Sequence, residues 1–356
     1  MTQPLARAHA FCDRFGLRLP ILLAPMAGVS APALSAGIAN AGGLGACGAL
    51  LMQPDAIAKW ASGVRGQSNG AFQLNLWIPD PPPVRDPAHE AEVRAFLAQF
   101  GPDVPAGAAE AMPLDFAAQC EALLNAAPPI ISSIMGLYPP DFVAAMKARG
   151  IAWFATVTTV AEAHAAEAAG ADVVVAQGAE AGGHRGRFDA SQAEREAVGL
   201  FALVPAVVDA VGIPVVATGG IADARGIAAA LTLGASAVQI GTGFLRCPEA
   251  GLNPIWSGGL AATRPEATML TRAFSGRTGR SIATAYTRAA AEGPVPAPYP
   301  VQRGLTQAMR DAGTQASDLD RMQAWAGQSA ALARAEPAGE LIQALWDGAR
   351  ALLPSL

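Results

Sequence analysis

Residues 213–245, IPVVATGGIADARGIAAALTLGASAVQIGTGFL, contain two short apolar runs separated by an Ala-rich segment, and the end of each run is marked by glycine. Val215 to Ala217 and, apart from Gln239, Ala237 to Ile240 are apolar without alternation, as in strands covered on both faces of a parallel sheet. Between them, Asp223 and Gly234 bracket an amphipathic stretch as start and stop signals bracket a helix. Residues 226–245 carry no charge and are long enough to span a bilayer. Gly234, Gly241 and Gly243 interrupt them, so helix, turn and buried strand is the better reading.

The same β-then-α unit recurs upstream. Further strands are expected at 20–28, 43–49, 71–79, 129–136, 151–158 and 171–181, which with 213–221 and 235–245 makes eight. Helical stretches between them include 32–42, 55–66, 114–127, 140–150, 160–170, 199–212 and 224–234. Eight units in some 230 residues match a (β/α)8 TIM barrel of the α/β class. An open doubly wound sheet is the alternative, because strand order is not written in the pattern. Two segments break the repeat: the Pro-rich, partly helical 78–112 and the late 247–334. Both follow strand ends, where barrel enzymes build sites and lids. The expected division is therefore a barrel of 1–77, 113–246 and 335–356, and an inserted, mainly helical substrate/lid region of 78–112 and 247–334. The last helix, 339–353, carries an apolar stripe suited to covering the barrel.

Composition narrows the function classes. The 356 residues are 52% hydrophobic with a net charge of −5, and Lys59 and Lys147 are the only lysines, so no basic surface for nucleic acid or anionic membrane is present. A small-molecule ligand is the default. Cys12, Cys47, Cys120 and Cys247 lie far apart, which argues against a zinc site or a disulfide framework and fits a reducing, cytoplasmic setting. The N-terminal twenty residues have no continuous apolar core of a signal peptide. A homo-oligomer is compatible with this composition.

Three constellations bear chemistry. First, Gly219, Gly220, Gly241, Thr242 and Gly243 end adjacent strands, so their backbone N–H groups either cradle a phosphate at the start of the next helix or only make tight turns. Second, AQGAEAGGHRGRF (176–188) places Gln177, Glu180 and His184 on a flexible loop at the barrel mouth. His184 is then a general base, a ligand-orienting group or a satisfied loop residue. The other three histidines, His9, His89 and His164, read as solvated surface residues. Third, Ala24, Pro25, Met26, Ala27 and Gly28 with Gln73 and Asn75 offer the apolar wall and few amides that suit an isoalloxazine ring. Signatures of dinucleotide folds, P-loops, zinc proteases and serine hydrolases are absent.

LLAPMAGVS (22–30), QLNLWIP (73–79), AQGAEAGGHRGRF, ATGGIAD (217–223), QIGTGFL (239–245), FSGRTGR (274–280), YPVQR (299–303) and WAGQ (325–328) together resemble nitronate monooxygenases, formerly 2-nitropropane dioxygenases, over nearly the whole chain. The resemblance implies an FMN-dependent enzyme that oxidises alkyl nitronates such as propionate 3-nitronate with O2 to a carbonyl compound and nitrite, in detoxification. It also implies that FMN is contacted by Ala24, Pro25, Met26, Asn75, Gln177, Gly182, Gly183, Gly219, Gly220, Gln239, Gly241 and Thr242. His184 then matches the family's active-site histidine, orienting the nitronate or deprotonating a neutral nitroalkane.

Ser275, Gly276 and Arg277 either approach the flavin phosphate or form a loop. Tyr299, Gln302, Trp325 and Gln328 are secondary candidates for the cavity lining. The fourth strand, IISSIMGLYPP (130–140), lacks the Phe-rich ending of many relatives, which bears on substrate preference. The competing functions are an FMN-dependent enoyl-acyl-carrier-protein or NAD(P)H:quinone reductase on the same barrel, and a non-catalytic phosphate-ligand or nucleotide barrel. A nucleotide barrel of the inosinate-dehydrogenase type needs a catalytic loop cysteine, a context that Cys47 and Cys247 lack.

Overall fold

A computed structural model of the chain describes residues 3–29 and 31–354; Ser30, the last residue of LLAPMAGVS, lies outside them, as do the first two and last two residues. Its strands are β1 (Ile21–Leu23), β2 (Gly45–Gly48), β3 (Phe72–Trp77), β4 (Ile130–Ile134), β5 (Ala152–Val157), β6 (Val173–Gln177), β7 (Gly183–His184), β8 (Val215–Thr218), β9 (Ala237–Ile240), β10 (Thr268–Thr271) and β11 (Gly279–Ile282). Eight of them form one parallel sheet in the order β1-β9-β8-β6-β5-β4-β3-β2. A parallel bridge between Leu22 and Leu44 joins its two edges, with Leu23 N–H donating to Leu44 O at 2.8 Å. That closure excludes the open doubly wound alternative and establishes the TIM barrel.

Local chemistry sets the helices. Proline opens several first turns, as in Pro32–Asn40 and Pro54–Arg65, where its missing N–H costs nothing. Asp86, Asp115, Thr159 and Asp223 cap the helices that follow them by accepting from first-turn N–H groups. The last helix, Ala338–Leu352, buries Leu341, Ile342, Leu345, Trp346 and Ala349 and packs against helices Pro32–Asn40 and Ala224–Thr232, completing the outer ring. Residues 226–245 divide into a helix, a turn and β9; among the described residues no helix is long and apolar enough to cross a membrane.

The first helix, Pro4–Phe15, supplies a part that the sequence reading did not assign. Phe11 and Cys12 join Leu22, Phe154, Val175 and Val216 in the barrel's inner core. Phe15 meets Phe154 edge-on at 5.0 Å between ring centres. Each such buried side chain contributes roughly 1.5–3 kcal/mol.

The two irregular segments pack on each other. Val93 and Leu97 of helix Pro87–Leu97 share a cluster with Phe274, Tyr286, Val301, Leu305 and Met309. Beside it lies a three-stranded antiparallel sheet, β10-β11-β7, pairing Gly279 with His184 and Arg280 with Gly183. His184 is therefore held on a strand, with Arg185 N–H donating to Thr278 O at 2.9 Å, where a flexible loop was expected. The FSGRTGR segment imposes this order by pairing from about 95 residues away.

Candidate active site

One cavity of about 590 Å³ opens at the C-terminal ends of the barrel strands. On its β1 side stand Ala24, Pro25 and Met26; Asn75, Gln177 and Gln239 rise from β3, β6 and β9. Gly182, Gly183, Gly219, Gly220, Gly241 and Thr242 complete the strand-end rim, and His184 faces them. The structure thus brings every candidate contact residue and His184 to one cavity.

Bonding separates their roles. Gln177 uses its whole amide within the fold: Nε2 donates to His184 O at 3.1 Å, while Oε1 accepts from Arg185 Nη1 at 3.1 Å and Gly186 N–H at 2.8 Å. Arg185, 1% exposed, also donates to Gly178 O at 2.6 Å. The loop carrying His184 is thereby tied to the end of β6. Asn75 Nδ2 donates to Ser132 Oγ, leaving Oδ1 open to the cavity. Gln239 Oε1 accepts from Gln73 Nε2 at 3.2 Å, leaving Nε2 open as a donor.

Backbone N–H groups of Gly219, Gly220, Gly241 and Thr242 have no acceptor among the described residues. Gly219 and Gly220 have φ of 112° and 68°, the left-handed region that glycine enters without strain. The helical turn after β9 begins at Thr242 itself, whereas the helix after β8, Ala224–Thr232, begins at a capped end. Asp223 accepts from Gly226 N–H at 3.0 Å and already fills that cap. Four backbone donors at these two strand ends are therefore open to an anion.

His184 stands between two indoles, with ring centres 4.6 Å from Trp77 and 4.7 Å from Trp325. Trp325 reaches it across Gly279, where a Cβ would lie 2.9 Å from the indole ring. Nε2 of His184 is 2.7 Å from Ser275 Oγ. Burial above all, then the Arg277 and Arg303 charges, push its pKa down to about 3, so the ring is neutral at neutral pH. Tyr299 packs on Trp77, and burial raises its pKa, so it remains a phenol.

The late motifs divide accordingly. Ser275, Tyr299 and Trp325 line the cavity. Arg277 is 3% exposed and binds Asp80, so it is a structural cation and does not line the cavity. Gln302 is a buried brace, donating to Ala273 O and accepting from Ala297 N–H. Gln328 lies off the cavity, with its backbone N–H on Glu180 O. All four cysteines are buried, and burial raises Cys247 to a pKa of about 12, which leaves a nucleotide barrel without its nucleophile. His9 and His164 are exposed, whereas His89 is half-buried with Nε2 2.6 Å from Val295 O.

Trp77 and Arg303 escaped the sequence reading. Trp77 sits inside QLNLWIP, where a strand-end aromatic reads as core. Arg303 lines both the inner cavity and an outer groove beside Pro105, Gly107 and Gln307, and its guanidinium has no carboxylate partner among the described residues. A cation in YPVQR was the available signal.

A sequence profile described as nitronate monooxygenase matches residues 9–348. A nitronate monooxygenase of Pseudomonas aeruginosa is 40% identical over 95% of this chain and 99% of its own. One from Paraburkholderia phytofirmans is 39% identical over 95% and 94%. Among solved structures, a nitroalkane oxidase from Streptomyces ansochromogenes superposes with a TM-score of 0.86 at 37% identity, covering 96% of this chain and 99% of that one. FabK from Thermotoga maritima gives 0.76 at 28% identity, with 96% of each chain covered.

Proposed function

The chain belongs to the nitronate monooxygenase family of oxidoreductases, and from that premise we propose that it is FMN-dependent and oxidises alkyl nitronates, propionate 3-nitronate among them, to carbonyl compound and nitrite. We assign it a cytoplasmic detoxifying role. The observation that carries this reading is the convergence of a neutral histidine, two indole walls and a cradle of free N–H donors on one cavity.

The residues fit FMN. Gly219, Gly220, Gly241 and Thr242 would receive its phosphate, since their donors lack acceptors and no side chain fills the space. Ala24, Pro25 and Met26 would back the isoalloxazine ring, with Asn75 Oδ1 and Gln239 Nε2 at its polar edge. Gly182 and Gly183 would let the ring approach the backbone, and Gln177 would hold the His184 strand against it. Bound FMN supplies the electron transfer between the nitronate and O2.

Trp77, Trp325 and Tyr299 would orient the substrate and exclude water from it, and His184 would either orient the nitronate or deprotonate a neutral nitroalkane. Segments 78–112 and 247–334, packed on each other over the barrel mouth, would act as the substrate/lid region against a barrel of 1–77, 113–246 and 335–356.

The test is oxygen consumption with a panel of nitronates, beside anaerobic mixing with NADH and NADPH. The purified protein is expected to show flavin absorbance, to consume O2 with nitronates and to leave the flavin oxidised with either nicotinamide. Rapid anaerobic bleaching by NAD(P)H would assign the chain to the reductases instead, and lack of flavin absorbance after adding FMN would end the reading.

A further inference from the structure

His184 has two ring nitrogens, and their surroundings differ. Nε2 lies 2.7 Å from Ser275 Oγ. Nδ1 has no hydrogen-bond partner among the described residues and is not among the buried unpartnered atoms, so it opens onto the cavity that the ring lines. Whichever nitrogen carries the proton decides what the cavity meets: a lone pair or an N–H donor.

Ser275 decides between them. Its Oγ accepts from Arg277 N–H at 3.3 Å and donates to Arg277 O at 3.1 Å. A hydroxyl has a single proton. If that proton goes to His184 Nε2, Arg277 O loses the hydroxyl donor that Ser275 gives it, in a residue only 3% exposed. If Nε2 carries its own proton and donates to Oγ, then Arg277 N–H, His184 Nε2–H and the Ser275 hydroxyl all have acceptors. A buried acceptor left unsatisfied is costly, which favours the second arrangement by about fivefold or more.

We infer that Ser275 is a positioning residue that holds His184 in the Nε2–H form, so that the Nδ1 lone pair faces the reacting molecule. Its consequence for chemistry rests on the function proposed above. Of the two roles open to His184, this form suits the base: a C–H proton next to a nitro group passes to Nδ1, and the C–H electron pair stays on the substrate as the nitronate. No oxidant enters that step. A donor to a nitronate oxygen would need the other form.

The test is ¹⁵N NMR of the histidine-labelled protein as purified with its flavin, which reads the proton's position without turnover. With four histidines, His184 is assigned by the signal missing from His184→Asn. The wild type is expected to carry hydrogen on Nε2 and none on Nδ1. Ser275→Ala is expected to shift the population towards Nδ1–H, and Ser275→Thr, which keeps the hydroxyl, to restore it. Hydrogen on Nδ1 in the wild type would overturn the inference, and so would a Ser275→Ala protein with unchanged nitrogen signals. Should Ser275→Ala fail to fold, the wild-type and Ser275→Thr spectra still decide, since both must show Nε2–H. Oxygen uptake with nitronates is measured separately, so failure of the proposed function leaves this result intact.

Discussion

The Arg277 guanidinium grips the Asp80 carboxylate with two bonds, Nε to Oδ2 at 2.6 Å and Nη2 to Oδ1 at 2.7 Å. These residues are 197 positions apart and belong to the two segments that lie outside the barrel repeat. Arg277 also reaches Arg187 O, so the pair sits behind the His184 strand. Asp80→Ala leaves a buried guanidinium without its counter-charge. The expected loss is about 3 kcal/mol, the low end for a broken buried pair because the Asp80 side chain keeps 23% of its exposure. Urea unfolding measures it; a loss under about 0.5 kcal/mol would place the pair with ordinary surface bridges.

His184 sets a second expectation. Burial, then Arg277 and Arg303, lower its pKa from the ordinary 6.5 to about 3. A depressed base is neutral in the folded state while the unfolded chain gains a proton below 6.5. Its contribution therefore favours the native state above pH 6.5, and that support is lost as pH falls from 6.5 towards 3. At pH 4.5 the loss is about 2–3 kcal/mol relative to neutral pH. His184→Asn should lose correspondingly less stability between pH 7 and pH 4.5, and equal losses in the two proteins would show the imidazole titrating normally.

All eight barrel strands fell on short, mainly apolar runs, because strands covered on both faces are mostly apolar, and the polar exceptions such as Gln73, Asn75 and Gln177 are hydrogen-bonded within the fold. Their C-terminal limits ran long: PILLAPMAG is strand only from Ile21 to Leu23, and 171–181 only from Val173 to Gln177. In the first of these the extra residues, Ala24 to Gly28, line the cavity, so they are as apolar as a strand without pairing like one. β10, β11 and β7 were not legible, since TMLT, GRSI and GH are short and also lack the mainly apolar run that marked the barrel strands of similar length. The Asp80–Arg277 and His184–Ser275 contacts depend on how the two non-barrel segments pack, which one chain's pattern does not encode.

Arg303 lies beside the cavity as a cation without a described ion-pair partner, and it helps keep His184 neutral. A nitronate is an anion, and a charge-assisted bond contributes about 1.5–3 kcal/mol. Arg303→Met should raise KM for nitronates by about tenfold or more, with kcat changed less, because the lost interaction acts on ground state and transition state alike. Steady-state oxygen uptake separates the two parameters. An unchanged KM would mean that the guanidinium never meets the substrate.

Glu162 fastens the far side of the His184 loop. It is 4% exposed; Oε1 accepts from Phe188 N–H at 2.7 Å and from Arg187, and Oε2 accepts from Thr158 N–H at 2.7 Å and its hydroxyl at 2.8 Å. Four donors converge on one carboxylate, so Glu162→Gln keeps the volume but turns one acceptor into a donor facing a donor. The expected cost is about 2 kcal/mol, from charged hydrogen bonds lost in a buried place. Because residues 184–188 run from the cavity-lining His184 to this anchor, kcat should fall with stability, whereas the exposed helix residue Glu92 changed to Gln should alter neither. If Glu162→Gln lowers the unfolding midpoint but leaves kcat and KM at wild-type values, the anchor serves the fold alone and His184 is placed sufficiently by Gln177, Ser275 and its two tryptophans.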